Sequence, residues 1–285
     1  MRKITVTKEH HGKKIHDYLK ETEGFSGRGL RKMQIYLNKK ELKSADKLIK
    51  ENDLITIREN LKGTDIKPIE MELDVVYEDN NLLLINKPPY LITHPTAKKV
   101  DKTLANGIVY YLRKQGNESV PRFYNRLDMN TSGIIVIAKN GFSQAFLQNH
   151  GDIEKKYIAL VKGIVENDEY VIEKKIGVSA DGIKREISEN GQEAKTGVKV
   201  LKRSKEKNLT VIELTLYTGR THQIRVHMSS EGHPILGDEL YGGKDERAER
   251  QLLHSYKISY IDPETKNRRE FQTKLPKEMQ EIIEL

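Results

Sequence analysis

The stretch that decides the fold is residues 124–138, which reads YNRLDMNTSGIIVIA. Its last five residues, Ile134–Ala138, are all apolar and predict a buried strand. The ten residues before them are mostly polar and end in Gly133, so they predict a loop that leads directly into this strand. Such a loop places the Asp128 carboxylate at the rim of a sheet, where the core beneath holds it rigidly.

From local features alone, Asp128 also has a plainer interpretation. Aspartates in loops commonly accept hydrogen bonds from nearby backbone N–H groups and do no more than shape a turn. Arg126, two residues earlier, is either an ion-pair partner of Asp128 or a solvated surface charge. By itself, therefore, this loop is a weak functional signal.

A second segment concentrates hydrogen-bond donors. Residues 218–228 read TGRTHQIRVHM, in which Gly219 permits a tight turn and Thr221 is a candidate helix N-cap. Gly232 and Pro234 predict the end of that helix. Its polar side chains are Arg220, His222, Gln223, Arg225 and His227.

The histidines of this segment raise a metal-site alternative, with His233 and Asp238 as further ligands. A spacing of five residues puts His222 and His227 about 140° apart on a helix and on opposite faces of a strand. Neither arrangement chelates a metal as an i, i+4 pair does. We therefore keep a metal-dependent hydrolase only as a minor alternative.

A third segment, residues 86–95, reads NKPPYLITHP and follows an apolar run. Its three prolines predict a rigid loop. Local sequence does not distinguish this loop from an ordinary connection between strands.

The rest of the chain alternates irregularly between strand-like and helical patterns. Helical stretches lie near 104–112 and 142–149, and an α+β fold is predicted because hairpin-length gaps separate many of the strands. The strand-like runs are 75–77, 82–85, 134–138, 157–161 and 211–216.

The N-terminal segment predicts a small folded unit. Ile15, Tyr18 and Leu19 follow helical spacing, and Ser26 is a candidate cap for a second helix that carries Leu30 and Met33. Short strands are predicted at 36–37 and 54–57. The basic side chains that the second helix leaves exposed are Arg28, Arg31 and Lys32.

The charge distribution supports a polyanionic partner. The chain has 285 residues and a formal net charge of +8, and residues 1–62 contain 16 Lys and Arg against 9 Asp and Glu. Nearly all of the excess positive charge therefore lies in the first fifth of the chain, which favours a module that binds nucleic acid over a merely solubilising surface.

The cysteine count and the hydropathy pattern exclude several classes of protein. The chain has no cysteine, so disulfides, thiolate nucleophiles and cysteine-bound zinc are ruled out. No apolar run approaches the ~20 residues of a membrane helix, and the first residues have no apolar signal region. We expect a cytoplasmic protein.

The N-terminal segment resembles the S4 RNA-binding domain. The resemblance rests on residues 12–19 (GKKIHDYL), Ser26, Leu37-Asn38 and residues 52–57 (NDLITI). The S4 pattern usually has Arg-Leu-Asp at 14–16, Asn-Gly at 38–39 and Gly-Asp at 52–53, so the match is imperfect. It divides the chain into an S4-like RNA-binding domain at 1–60, a linker at 61–69 and a catalytic domain at 70–285.

Residues 70–285 resemble the RluA-type pseudouridine synthases over nearly their whole length. The blocks that match in order are Asn86-Lys87-Pro88, His94-Pro95, Arg126-Leu127-Asp128, Thr131-Ser132-Gly133, Lys155-Lys156-Tyr157, Glu193-Ala194-Lys195-Thr196, residues 219–227 (GRTHQIRVH), residues 234–238 (PILGD), Tyr241-Gly242 and Leu253-His254. Two positions depart from the family pattern, since Asn125 stands where a His is usual and Tyr90 stands where a Gly is usual.

The resemblance implies the fold and the reaction. It implies a mixed, largely antiparallel central sheet flanked by helices and loops. It also implies an isomerase that breaks the N1–C1′ bond of a uridine in RNA and rejoins the base through C5. Such chemistry needs neither a metal nor a nucleotide cofactor. The implied substrate is RNA, with 23S ribosomal RNA favoured over transfer RNA, and a monomer is expected.

The resemblance also implies roles for particular residues. Asp128 is the catalytic carboxylate, acting by covalent attack or by proton abstraction, and Arg225 pairs with it and favours its ionised form. Tyr157 stacks on the uracil or helps to remove the C5 proton. Arg126 fills the space that the flipped-out base vacates. The further RNA-binding residues are Arg220, His222 and Gln223, together with Arg28, Arg31 and Lys32.

A non-catalytic RNA-binding or ribosome assembly factor on the same scaffold is the remaining alternative. The presence of Asp128, Tyr157 and Arg225 together argues against it, because a binding protein has no use for the full set.

Overall fold

The computed structural model describes residues 2–31, 33–44, 46–59, 63–95 and 102–284. The chain forms a small N-terminal sheet, a large sheet and a separate two-stranded hairpin. Within the described ranges, no helix combines the length and apolar character that crossing a bilayer requires.

The N-terminal unit is a four-stranded antiparallel sheet with short helices packed on it. Its strands are β1 (Arg2–Thr5), β2 (Met33–Leu37), β3 (Lys40–Glu41) and β4 (Leu54–Glu59), in the order β1-β4-β2-β3. Between β1 and β2 lie a 3₁₀ turn (Lys8–His10), α1 (Ile15–Asp17), a π-helical turn (Tyr18–Thr22) and α2 (Gly27–Leu30).

The predicted features of this unit are present with one exception. Ile15 and Leu19 are fully buried, and the Ser26 hydroxyl accepts a hydrogen bond from the N–H of Gly29 at 3.0 Å, so Ser26 caps α2 as predicted. Met33 was placed wrongly in the second helix, because it begins β2. The helix ends at Leu30, and two of its four residues are glycines, which propagate helix poorly.

The large sheet has ten strands. Eight of them are hydrogen-bonded in the order β10-β13-β14-β9-β15-β8-β6-β5. The other two pair outside this order, β16 with β15 and β7 with β8. The strands are β5 (Val75–Glu78), β6 (Leu82–Lys87), β7 (Arg122–Phe123), β8 (Ser132–Ala138), β9 (Glu154–Lys162), β10 (Glu169–Glu173), β13 (Lys195–Ser204), β14 (Leu209–Leu216), β15 (Leu253–Ile261) and β16 (Arg268–Gln272). The hairpin is β11 (Ile176–Val178) and β12 (Arg185–Ile187). Among the described pairs, β8 and β15 run parallel and the others antiparallel, so the mixed, largely antiparallel α+β sheet is confirmed.

Helices cover both faces of the large sheet. They are α3 (Leu104–Lys114), α4 (Gly141–His150), α5 (Gln223–Ser230) and α6 (Lys277–Glu284), together with a 3₁₀ turn (Glu239–Tyr241). Alternate residues of β8 belong to two different cores, Ile135 and Ile137 on one face and Ile134 and Val136 on the other. The first face packs against α3 and α5, and the second against α4.

Gly133 lies at the parallel seam between β8 and β15. Its φ is +115°, and a Cβ at this position would lie 2.2 Å from the carbonyl oxygen of Ser255. Only glycine combines that backbone conformation with so close an approach.

A buried histidine lies next to Gly133 at the same seam. The Ser132 hydroxyl and Nδ1 of His254 are 2.8 Å apart. Burial lowers the pKa of His254 to about 4, so this ring is neutral at pH 7.

The N-terminal unit shares a core with α4, the helix that packs on the second face of the large sheet. Phe142 and Phe146 of α4 pack among the buried residues of the N-terminal unit. The Glu59 carboxylate accepts a hydrogen bond from Arg122 at 2.7 Å and another from the N–H of Gly141 at 3.0 Å. Removing residues 1–62 would therefore expose two phenyl rings, and charge substitutions are a cleaner test of RNA binding than deletion.

Candidate active site

The loop that carries Asp128 connects β7 to β8 and is fixed by side chains from several elements. The carbonyl of Leu127 accepts from Thr93 Oγ1 at 3.0 Å, and that of Asn130 accepts from Arg250 Nη1 at 2.9 Å. Arg250 is itself 3% exposed. A loop held from both sides in this way keeps the Asp128 carboxylate at one place on the sheet rim, as the sequence predicts.

Asn125, which replaces the usual histidine, anchors the start of this loop. Its amide nitrogen donates to the carbonyl of Ile134 at 3.1 Å, and its amide oxygen accepts from the N–H of Val136 at 2.8 Å. The side chain thus pairs with the edge of β8 as a strand backbone would. In this chain the start of the loop is therefore anchored by a group that does not ionise.

Lys87 joins the first motif to the catalytic loop. The residue is fully buried, and its ammonium donates to the carbonyls of Pro88 at 2.8 Å, Leu91 at 2.9 Å and Met129 at 3.0 Å. Burial and the nearby Arg250 lower the pKa of Lys87 to about 7, while Asp128 opposes that shift. Three carbonyl acceptors nevertheless match the three N–H bonds of an ammonium group.

We expect Lys87→Met to lower the free energy of unfolding by about 3 kcal/mol, because it removes a fully buried ammonium and leaves three partly buried carbonyls without their donor. Urea unfolding of the purified variant measures this loss. Lys244→Met, on an exposed lysine, is the matched control and should leave the unfolding midpoint unchanged. An unfolding curve for Lys87→Met that overlays the wild-type curve would contradict the anchoring role.

Arg225 bridges two carboxylates. Its Nη1 donates to Asp128 Oδ2 at 3.0 Å, while Nε and Nη2 donate to the two oxygens of Asp238 at 2.7 and 2.8 Å. Asp238 is 1% exposed, whereas the Asp128 side chain is 29% exposed. Burial lowers the pKa of Arg225, but the two carboxylates outweigh it and the net shift is upward, so the guanidinium stays charged. Asp238 therefore holds the arginine, and the arginine presents one N–H to the accessible carboxylate.

His222 approaches the same oxygen of the Asp128 carboxylate as Arg225 does. Its Nε2 is 3.8 Å from Asp128 Oδ2, and its Nδ1 is 2.9 Å from the Tyr241 hydroxyl. That hydroxyl accepts from the N–H of Arg185 at 2.9 Å and so has its proton free to donate to Nδ1. Burial lowers the pKa of His222, so at neutral pH the ring is uncharged with its proton on Nε2, facing Asp128.

The helix that bears these residues begins differently from the prediction. The N-cap of α5 is His222, at φ +56°, and not Thr221. The Thr221 hydroxyl instead accepts a hydrogen bond from Arg126 Nη2 at 2.8 Å. The helix start is thus set by a left-handed residue and by a contact between loops, which the local sequence does not reveal.

Tyr157 lies under the carboxylate in a small pocket. It is 4% exposed, and burial together with Asp128 raises its pKa to about 12 against an opposing hydrogen bond with Ser255. The pocket has a volume of about 60 Å³, and both Asp128 and Arg225 line it. The remaining lining residues are Arg126, Leu127, Thr131, Leu216, Arg220, His222, Gln223, Ile224 and Leu253.

The other predicted RNA-binding residues of this region differ in accessibility. Arg126 and Arg220 are exposed at the pocket rim. Gln223 is 2% exposed, and its amide accepts from Thr218 and from the N–H of Arg220 and donates to Lys195 and Thr196. Its hydrogen bonds are directed into the protein, so it positions the loop from which Arg220 projects.

The histidines considered for a metal site point to separate partners. Nδ1 of His227 is 2.9 Å from Thr196 Oγ1, and its Nε2 is 2.9 Å from the carbonyl oxygen of Lys174. Nδ1 of His233 is 3.0 Å from the carbonyl oxygen of Lys162. In the part of the chain that the structure describes, no group of three His, Cys, Asp or Glu side chains is arranged to hold a metal.

The basic residues predicted on the N-terminal unit are only partly described. Arg31 is exposed just after α2, and Arg28 lies within α2. Lys32 falls outside the described residues.

A cavity of about 730 Å³ lies away from this site, between the N-terminal unit and the second face of the large sheet. Arg2, Glu59, Phe142 and Asp262 are among its lining residues. It contains none of the residues around Asp128, so its size does not make it the catalytic pocket.

Sequence reasoning missed three structural supports of the site, namely Lys87, Asp238 and Tyr241. Lys87 and Asp238 are ionisable side chains that are essentially fully buried, and Tyr241 packs edge-on against the His222 ring. All three stand inside motif blocks of the sequence, but their contacts cross between distant segments, and spacing along the chain does not show them.

On this sheet, a loop-borne carboxylate is held by an arginine above a buried tyrosine, which is the arrangement that the resemblance to the RluA-type enzymes implies. The family model described as RNA pseudouridylate synthase matches residues 81–230. The chain belongs to this family, and its relatives place it among the RluA-type enzymes, so it is an RNA pseudouridine synthase.

Bacterial relatives extend over most of the chain. The RNA pseudouridine synthase YjbO of Bacillus subtilis (strain 168) is 36% identical, over 83% of this chain and 85% of that protein. The ribosomal large subunit pseudouridine synthase D of Buchnera aphidicola subsp. Schizaphis graminum is 35% identical, over 87% of this chain and 84% of that protein. Among solved structures, human RNA pseudouridylate synthase domain containing 1 aligns with a TM-score of 0.58 at 26% identity, covering 75% of this chain and 86% of that one.

Proposed function

We propose that this enzyme converts specific uridines of 23S ribosomal RNA to pseudouridine, with Asp128 as the catalytic carboxylate. The observation that carries the assignment of Asp128 is the Arg225 bridge. The buried Asp238 takes two of the arginine's hydrogen bonds, and the third goes to Asp128 at the pocket mouth. The preference for ribosomal RNA is supported by relatives named as large-subunit enzymes.

In the proposed reaction, the target uridine leaves its stack and enters the pocket between Asp128 and Tyr157. Unstacking costs a few kcal/mol, and Arg126, exposed at the rim, offsets part of it by filling the vacated space. Arg225 orients the Asp128 carboxylate for either covalent attack or proton abstraction. The N1–C1′ bond then breaks, the uracil turns, and C1′ bonds to C5.

The last step removes the proton from C5. With a pKa of about 12, Tyr157 is a protonated phenol at neutral pH. It therefore takes up the C5 proton only if it first passes its own proton to a relay, whereas stacking on the uracil needs no ionisation. We also propose that the enzyme is a monomer, and a ribosomal RNA target supports a cytoplasmic location.

The substrate assignment is tested with purified protein and two unmodified transcripts, 23S ribosomal RNA and a pool of transfer RNAs. Chemical labelling followed by reverse-transcription stops maps each pseudouridine. We expect new sites in 23S RNA. Sites in the transfer RNA pool alone would replace the proposed substrate with transfer RNA, and sites in neither would favour the assembly-factor alternative.

We further propose that residues 1–60 act as an S4-like RNA-binding domain joined through 61–69 to the catalytic domain at 70–285. The triple variant Arg28→Gln, Arg31→Gln, Lys32→Gln should bind RNA more weakly. Its plot of log affinity against log salt should be shallower by about 2 to 3, because three phosphate contacts are lost. Filter binding at several salt concentrations measures both quantities.

The matched control for this prediction neutralises three lysines elsewhere on the surface, Lys205, Lys244 and Lys277, which are all exposed. An equal loss in both triple variants would mean that only net charge matters and that the N-terminal unit is not the RNA-binding module.

A further inference from the structure

Tyr90 is an exposed aromatic side chain in an unusual backbone conformation. The residue is 56% exposed, and its φ is +63°. A left-handed conformation is less favourable for a residue with a side chain than for glycine. This is the position at which the family pattern has glycine, so the present chain keeps the turn and adds a ring at its surface.

The loop that carries Tyr90 is rigid. Tyr90 follows two prolines, and Lys87 binds the carbonyls on both sides of it, those of Pro88 and Leu91, at 2.8 and 2.9 Å. Further along, the carbonyls of Ile92 and Thr93 accept hydrogen bonds from the first N–H groups of α3, at 2.8 and 3.0 Å. The ring is thus presented from a fixed backbone, which reduces the entropy lost when it binds a partner.

The same loop lies beside the catalytic loop. The third acceptor of Lys87 is the carbonyl of Met129, the residue that directly follows Asp128, at 3.0 Å. Thr93 Oγ1 donates to the carbonyl of Leu127, the residue that directly precedes Asp128, at 3.0 Å. Met129 is 47% exposed. Tyr90 and Met129 are therefore exposed side chains on two loops that are tied together at the backbone, one of which carries the carboxylate.

We propose that Tyr90 stacks on a nucleobase of the substrate RNA next to the flipped-out uridine. RNA must approach this rim for its base to reach Asp128, and an exposed ring on a rigid loop is the kind of platform on which single-stranded bases stack. The stack also replaces part of the base stacking that is lost when the uridine leaves the helix. This inference rests on the proposed role of Asp128 in RNA.

The test uses substitutions that separate the ring from the turn. Tyr90→Gly removes the ring and suits the positive φ, whereas Tyr90→Phe keeps the ring. On the RNA that the wild-type enzyme modifies, we expect Tyr90→Gly to raise KM by roughly 5- to 100-fold, the range for loss of one base–aromatic stack, with little change in kcat. Tyr90→Phe should match the wild type. The control Leu201→Ala, on an exposed residue of β13, should also match it.

Wild-type activity on the same RNA is established first, so failure of the proposed function is distinguished from failure of this contact. A wild-type KM in Tyr90→Gly would overturn the proposal, and so would a loss confined to kcat. If Tyr90→Phe lost as much as Tyr90→Gly, the hydroxyl and not the stacked ring would be the contact. Thermal unfolding verifies that Tyr90→Gly is folded. Tyr90→Asn, which also tolerates positive φ, provides a second ring-free variant.

Discussion

Asp128→Asn should abolish pseudouridine formation while RNA continues to bind. The substitution preserves the shape of the side chain and its hydrogen bond from Arg225 but removes the negative charge that attack or proton abstraction requires. We expect the rate to fall by at least roughly 10⁴-fold, as is common when a nucleophile or base is removed. Release of tritium from RNA labelled at uridine C5 measures the rate, and filter binding measures affinity.

The matched control for Asp128→Asn is Asp168→Asn. Asp168 also pairs with an arginine, Arg203, but its side chain is 86% exposed and lies outside the pocket. This control should retain full activity. Residual activity in Asp128→Asn within tenfold of the wild type would remove Asp128 from the chemistry and leave it a turn residue.

Asp238→Asn is the second substitution with a large expected effect. Asp238 is buried and takes two hydrogen bonds from Arg225, and an amide replaces one of its oxygens with a second donor that faces the guanidinium. Breaking a buried ion pair from one side costs about 3 kcal/mol or more. We therefore expect a loss of that size in the free energy of unfolding. We also expect a fall of about 100-fold in kcat/KM, because Arg225 no longer orients Asp128.

The structure offers a matched control for this pair. Asp245 also takes two hydrogen bonds from an arginine, Arg247 Nε and Nη2 at 2.7 and 2.9 Å, but that arginine is well exposed. Asp245→Asn should cost about 1 kcal/mol and leave activity intact. If Asp238→Asn were as mild as Asp245→Asn, the buried bridge would not hold the catalytic carboxylate.

Much of the fold was predictable because its central strands are short apolar runs. Three of these runs lie in strands of the large sheet, at 82–85, 134–138 and 157–161. A strand that is buried on both faces has apolar residues at successive positions, which is the pattern that the sequence shows. By contrast, β13 carries four basic residues and was not predicted. It is a strand because it pairs with β10 and β14, which is a property of the assembled sheet. The parallel pairing of β8 with β15 likewise depends on the connections between them.

The residues proposed to act on the substrate were predictable from the sequence, but the buried residues that hold them in place were less so. The expected pairing of Arg225 with Asp128 is present, and the resemblance supplied both residues. From local sequence alone, Asp238 was considered as a metal ligand, and the loop that carries Lys87 was not distinguished from an ordinary connection between strands. Their importance comes from burial, because a fully buried charge must be matched by partners from distant segments, and those partners are known only once the chain is folded.

The catalytic role of Asp128 is tested most directly by mapping pseudouridines in the RNA of cells whose only copy of this protein is the Asp128→Asn variant. Wild-type and gene-deletion cells are compared in parallel. We predict that a defined set of pseudouridines in 23S ribosomal RNA is present in the wild type and absent from both other strains. Loss of those sites in the deletion strain but not in the Asp128→Asn strain would contradict this prediction, because the protein would then be needed without its catalytic carboxylate.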